Sequence, residues 1–207
     1  MCKKLIIIGA SGHGKVIANI AELNGYTEIY FLDDDKSKTM NGKYNIIATT
    51  HDIDKYISQG DYEFFIGIGN NEIRKKIYEM LKSSSAIIPS FIHPQSVIDS
   101  SVIIDEGTVI MANAVINSST KIGKCCIINT ASTVDHDCII GDFTHISPGV
   151  HIAGTVNIGK NCWIGVGCSV INNLKIYDDV TVGAGTTIIG DIKESGKYVG
   201  LPLRRLD

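Results

Sequence analysis

The sequence has no excess of positive charge, no apolar run of membrane-spanning length, and no cysteine spacing of a metal or disulfide framework. Its 19 Lys and Arg against 22 Asp and Glu give a formal net charge of −3. Pairs such as Lys3-Lys4 and Lys75-Lys76 are too short for a nucleic-acid footprint, so any phosphate recognition is local. No stretch approaches the roughly 20 apolar residues that cross a bilayer, which argues against a membrane-embedded enzyme. Met1-Cys2-Lys3-Lys4 and the run Leu5 to Ile8 imitate a signal peptide. Gly9-Ala10-Ser11-Gly12 then cuts the run short and no small-residue cleavage site follows, so a cytoplasmic protein is expected. The six cysteines fit neither a zinc ribbon nor a small secreted domain. What remains is a globular chain of 207 residues, 44% hydrophobic and 20% charged, between one and two domains by length.

The second half carries an internal repeat. From Ile92 in steps of six the chain reads Ile98, Ile104, Ile110, Ile116, Ile122, Ile128, Val134, Ile140, Ile146, Ile152, Ile158, Ile164, Val170, Ile176, Val182 and Ile188. No position breaks the series, which is the signature of a repeat architecture. Two residues before each aliphatic one the side chain is mostly small or β-branched, as at Thr108, Ala114, Thr120, Cys126, Ser132, Cys138, Thr144, Cys162 and Cys168. This is a second inward row, and it makes those cysteines core thiols. Cys125 falls off the row, and nothing marks it as a nucleophile. The residue after the aliphatic one is often Gly, Asp or Asn, which suits a chain that turns every six residues. The expected fold is a prism of short parallel strands, a β-helix, with coils stacked about 4.8 Å apart.

The first half reads differently. Lys4 to Ile8 is a β-branched strand ending in Gly9-Ala10-Ser11-Gly12-His13-Gly14, after which Val16, Ile17, Ile20 and Leu23 fall at helical spacing. A second strand, Ile29 to Leu32, ends in Asp33-Asp34-Asp35. A third, Glu63 to Ile68, ends in Gly69-Asn70-Asn71 before a helix through Ile73, Ile77, Met80 and Leu81. The order predicts a Rossmann-like parallel sheet of three or four strands over residues 1–90, ahead of a β-helix over 91–207. Ligands of such sheets bind beyond the strand carboxyl ends, where the glycine turn, the aspartates and the Gly-Asn-Asn turn converge. The turn is Gly-x-x-Gly-x-Gly and not the dinucleotide fingerprint, so a tight turn with solvated acids is the rival reading. Residues 36–60 look polar, irregular or partly helical, and carry no assigned role.

Acyl transfer from a thioester to an amine needs a base, a donor to the carbonyl oxygen, and orientation of both substrates. The repeat offers His136, His145 and His151. His136 and Asp137 lie off both inward rows, so they point to a corner or the outer surface, where the carboxylate can orient the ring and raise its basicity. With three hexapeptides per coil, residues eighteen apart stack, and Gly154 falls one coil beyond His136. A surface histidine remains as good a reading at this point. A zinc site shared between subunits, as in carbonic anhydrases of this architecture, is a rival.

The segments Ile8 to Gly14, Phe31-Leu32-Asp33-Asp34, Ile68 to Tyr78, His136-Asp137-Cys138-Ile139-Ile140-Gly141 and Tyr198-Val199-Gly200-Leu201-Pro202 together resemble the NeuD/PglD-type sugar acetyltransferases, from end to end. Within that family they are most similar to the branch that acetylates UDP-4-amino sugars in bacillosamine biosynthesis. The resemblance implies a left-handed β-helix, a homotrimer with active sites between subunits, acetyl-CoA as donor, and no metal. It makes His136 the general base and Asp137 its orienting carboxylate. Asn129 and His145 would hold the sugar or the acetyl donor, Gly154 would offer its amide to the thioester, and Gly165 with Gly183, Ala184 and Gly185 would line the pantetheine path. His13, Asp33, Asp34 and Asn70 would bind the nucleotide of a UDP-linked amino sugar, with Gly9, Ser11, Gly12 and Gly14 beside its phosphates. Three departures stand out. Asp137 occupies a Glu position, Ala184 replaces a glycine, and the 36–60 segment is longer, which leaves the sugar open. A sialic-acid-type O-acetyltransferase and a GDP-perosamine N-acetyltransferase share these motifs.

Overall fold

A computed structural model describes residues 4–200 and 204–205. Leu201 and Pro202 of the closing motif lie outside the described residues. The chain separates into two compact units, Met1–Phe91 and Ile92–Asp207.

In the first unit, β1 (Lys4–Ile8) is followed by α1 (Gly12–Leu23), β2 (Glu28–Leu32), β3 (Met40–Asn41), β4 (Tyr44–Ala48), α2 (Ile53–Gln59), β5 (Tyr62–Ile66) and α3 (Asn71–Ser83). The sheet order is β3-β4-β2-β1-β5. Leu5 to Ile8 are fully buried, as expected of a central parallel strand covered on both faces. The sheet has five strands, not three or four, and β3 runs antiparallel to β4. The extra two come from the 36–60 segment, so its reading as irregular is corrected, while its partly helical reading holds in α2. The β3–β4 hairpin turns through Gly42 at φ +66°, and β4 then pairs in parallel with β2. Its residues are half-buried or exposed along the whole length, so no period-two contrast marked it as a strand.

The second unit is the expected left-handed β-helix. Strands pair in parallel with a register of eighteen residues, as in Ile128↔Ile146 and Ile146↔Ile164. Three faces result. The first contains Ile127–Ile128, His145–Ile146 and Trp163–Ile164; the second contains Val115–Ile116, Thr133–Val134 and His151–Ile152; the third contains Lys121–Ile122, Ile139–Ile140 and Asn157–Ile158. The predicted aliphatic row is buried from Ile110 through Ile188. The period then shortens to sixteen, with Ile176 bridged to Ile192 and Val182 paired with Tyr198.

The corner is where the turn expectation needs correcting. The left-handed residue is the third after each aliphatic one, recurring every six positions from Gly107 (φ +72°) through Asp137 (φ +58°) to Gly185 (φ +69°). Phe143 and Thr155 also take this conformation, at roughly 1–2 kcal/mol each. The glycines directly after the aliphatic residue serve packing. A Cβ on Gly141 would lie 2.5 Å from the Gly159 carbonyl carbon, so two coils could not stack there.

The small inward row is a polar ladder as well as filler. Thr108, Thr120 and Thr144 donate Oγ1 to carbonyls fifteen residues on, at Gly123, Asp135 and Gly159. They also accept the amides of Cys126, Cys138 and Cys162 one coil later. The thiols of Cys126, Cys138, Cys162 and Cys168 repeat the fifteen-residue donation to Gly141, Ala153, Tyr177 and Gly183. Burial pushes the Cys162 thiol up to about 12, which keeps it protonated as a donor. Cys125, 1% exposed, occupies a left-handed corner position.

Candidate active site

His136 sits at the corner between the second and third faces, between Thr133–Val134 and Ile139–Ile140. Adjacent side chains rarely face one another, but the left-handed backbone at Asp137 brings its carboxylate back to its neighbour. Asp137 Oδ2 lies 2.8 Å from His136 Nδ1. A carboxylate only accepts, so Nδ1 carries the hydrogen and Nε2 keeps its lone pair. Asp137 first, then the charge of Asp135, raises the His136 pKa above its ordinary 6.5. Both members of the pair are more than half exposed.

Gly154 lies one coil on. A Cβ there would meet His136 Cε1 and Nε2 at 2.7 Å, so the missing side chain is the space the imidazole occupies. Asp135, absent from the sequence-based site, accepts the His136 amide and the Asn117 side-chain amide on one oxygen, both at 2.8 Å. Its acid type and position beside His136 were visible, but its partner is eighteen residues away.

Asn129 and His145 belong to the first face and its following corner. Asn129 Nδ2 is 3.1 Å from His145 Nε2, and His145, 8% exposed, stacks on Trp163 with centroids 5.5 Å apart. Trp163 in turn donates Nε1 to Ser147 Oγ at 2.9 Å. The corner bearing His136 is opposite the first face on a three-sided prism, so one chain does not bring His136 and His145 together. Gly165, Gly183, Ala184 and Gly185 lie on the corner joining the first face to the second. A Cβ on Gly165 would lie 2.5 Å from the Val182 carbonyl oxygen and one on Gly183 2.7 Å from Val199 Cγ1, while Gly185 takes the left-handed corner conformation at φ +69°.

In the first unit the glycine turn packs helix against sheet. Gly9 holds φ +102°, and a Cβ on Gly67 would lie 3.0 Å from the Gly14 Cα and from the Gly9 oxygen. Ser11 caps α1 by accepting the Gly14 amide, and donates to the Gly67 carbonyl. Gly12 faces open space, and the first turn of α1 carries no acidic residue, which leaves its N-terminus suited to an anion. Asp33 accepts the Ala10 amide at 2.6 Å. Asp34 accepts both the amide and the hydroxyl of Thr50, tying the 36–60 segment to the strand end. Asn70 caps α3 by accepting the Ile73 amide at 3.0 Å. Arg74, 2% exposed, donates to the carbonyls of Ile68 and Gly69 and to the Asn71 side chain. Burial, then the charge of Arg74, lowers His13 to about 4, so it is neutral near pH 7. A cleft of about 490 Å3 opens beside Asp34, Thr50 and His51, with Ile68, Ile73 and Met80 among its apolar lining.

Within one chain, among the described residues, no group of three or more His, Cys, Asp or Glu side chains is placed to hold a metal. No described helix is long and apolar enough to cross a membrane.

Residues 4–81 match the family model of the PglD N-terminal domain. The chain is 35% identical over 114 residues to UDP-N-acetylbacillosamine N-acetyltransferase of Bacillus subtilis, covering 53% of this chain and 52% of that protein. It therefore spans about half the length of that curated relative. The acetyltransferase domain of PglB from Neisseria gonorrhoeae superposes with TM-score 0.94 and 39% identity, covering 99% of this chain and 100% of that one; a second structure of that domain holds acetyl coenzyme A. PerB from Caulobacter crescentus, solved with CoA and GDP-perosamine, superposes with TM-score 0.94 and 31% identity, covering 100% of this chain and 99% of that one. With a match that extends over both units, this chain belongs to the NeuD/PglD-type family of sugar acetyltransferases.

Proposed function

We propose that the protein is an acetyl-CoA-dependent N-acetyltransferase acting on the C4 amine of a UDP-linked 4-amino-4,6-dideoxy-N-acetylhexosamine, by direct transfer. The observation that carries this reading is the His136–Asp137 pair with Gly154 beneath the ring. Asp137 fixes the tautomer that leaves Nε2 as the base. As the amine attacks the thioester, the C–N bond forms, Nε2 takes the amine proton, the C–S bond breaks, and coenzyme A leaves as a thiolate that is then protonated. No acyl-enzyme is needed. Gly154 offers an approachable backbone amide for the carbonyl oxygen.

The first unit is the nucleotide-sugar-binding domain. Its support is the acid-free α1 N-terminus with open space at Gly12, and the apolar cleft beside Asp34. The UDP-linked acceptor is favoured by the Bacillus relative, and the GDP-linked one by PerB; the higher identity of the UDP relative over its aligned stretch decides our choice. His145 and Asn129 act with His136 of a neighbouring subunit in a homotrimer, because one prism holds them apart. The buried free thiols fit a reducing compartment, the cytoplasm.

The test is a thiol-release assay with acetyl-CoA and the UDP-4-amino sugar, beside the GDP-linked amino sugar and a sialic acid acceptor. Release with the UDP sugar supports the reading. Release with GDP-perosamine alone moves the nucleotide, and release with sialic acid alone moves the chemistry to O-acetylation. His136→Ala should lower the rate roughly 10²–10⁴-fold.

A further inference from the structure

The second face of the β-helix carries a cleft of about 510 Å3 whose lining includes Asn117, Asp135, Ala153, Ile171 and Asn172. Asn172 stands thirty-six residues beyond His136, two coils on in the same corner row, so one edge of the cleft belongs to the corner of the proposed base. The outer row beside that corner reads Asp99, Asn117, Asp135, Ala153, Ile171, Ile189. Polarity changes at the level of His136. Before it the row is wholly polar, and after it the row is wholly apolar, with Ile171 and Ile189 42% and 58% exposed.

Asp135 is the last polar residue of that row. Both hydrogen bonds to its carboxylate, from Asn117 Nδ2 and from the His136 amide, fall on Oδ1. They fix the carboxylate while leaving Oδ2 for a ligand. An amine on a sugar carbon flanked by oxygen-bearing carbons titrates near the α-amino range, about 8, and so reaches the site largely as an ammonium. Resting on the N-acetyltransferase reading above, we infer that Asp135, held by Asn117, binds the acceptor's ammonium group in this cleft and thereby selects an amine over a hydroxyl acceptor. The ammonium sheds one proton to solvent before attack, and the second passes to His136 as the C–N bond forms. Beyond Asp135 the cleft is lined by Ala153 and Ile171 beside Thr133, His151, Ser169 and Asn172, so no second carboxylate competes for the ammonium.

The test compares wild-type protein with Asp135→Asn and Asp135→Ala, using acetyl-CoA and the UDP-4-amino sugar. The expected result is an acceptor KM raised about 10-fold in both variants, with the KM for acetyl-CoA unmoved. A purely structural role, supporting the His136 backbone, would lower kcat and leave the acceptor KM in place. A second measurement is the affinity of the wild-type protein for the amino sugar relative to its neutral N-acetylated product. That preference should shrink about 10-fold in Asp135→Asn. Wild-type turnover with an unmoved acceptor KM and an unmoved preference in the variants overturns the inference alone; no wild-type turnover with any amino-sugar nucleotide overturns the functional reading, and the inference with it.

Discussion

The imidazole of His136 rests on the bare Cα of Gly154, one coil away, so closely that a methyl group there would lie 2.7 Å from both Cε1 and Nε2. The atom that must yield is the end of an exposed side chain, not backbone. Gly154→Ala should therefore leave the melting temperature within about 2 °C while lowering kcat/KM by roughly 10–100-fold, because small displacements of a base are costly to rate. Thermal melting and steady-state kinetics on one preparation check this. A fully active Gly154→Ala variant would show that the ring position does not matter.

The raised His136 pKa has a sign. The base must be neutral to act, so the acid limb of kcat/KM lies above pH 6.5, displaced upward first by Asp137 and then by Asp135. Asp137→Asn removes the first influence, and the limb should move down while the maximal rate also falls through loss of the fixed tautomer. A pH profile of the variant with an unmoved limb would exclude Asp137 as the partner.

On the proposed homotrimer, in which His136 and His145 of one site come from different subunits, variants in each should complement. His136→Ala and His145→Ala are each expected to be nearly inactive as homotrimers. Trimers mixed at random should recover about a quarter of wild-type activity, the fraction of sites that draw an intact histidine from each neighbour. No recovery after co-refolding would place a complete site within one chain.

Burial holds His13 near 4 against an ordinary 6.5. The unfolded chain takes up this proton first, so stability is fully present above pH 6.5 and is lost as pH falls towards 4. His13→Asn should flatten the melting temperature of the first unit across that window, measured by following its unfolding at stepped pH.

Thr144 donates to the Gly159 carbonyl and accepts the Cys162 amide inside the prism. Thr144→Val keeps the volume and strands both groups, at about 1–3 kcal/mol. Thr144→Ser should lose less. Denaturant midpoints for the two variants check the order.

The β-helix was legible because its signal is local and redundant. Each coil repeats the same demand for an aliphatic side chain every sixth residue, and the eighteen-residue register follows from three such strands per turn. The misplacement of the turn shows the limit of that reasoning. Gly123, Gly141 and Gly159 announce a turn by composition, yet the left-handed backbone belongs to residues such as Cys125, Phe143 and Thr155, whose types do not favour it. The contact of one coil with the next decides which role a glycine serves.

The β3–β4 hairpin was illegible for a different reason. Asn41 reaches the Ser11 carbonyl thirty residues back, and Asp34 clamps Thr50 sixteen residues on, so this edge is held by distant partners and not by its own alternation.

The sequence by itself determined the period, the inward rows, the glycine turn with its flanking strands, and the His136-Asp137 pair, all set by spacing along the chain. The tertiary structure alone decided that Asp135 is held by Asn117, that threonines and cysteines form one hydrogen-bonded ladder, and that His136 and His145 part company. Those relations join residues fifteen to eighteen positions apart or on different faces, and their energies appear only when the coils close on one another.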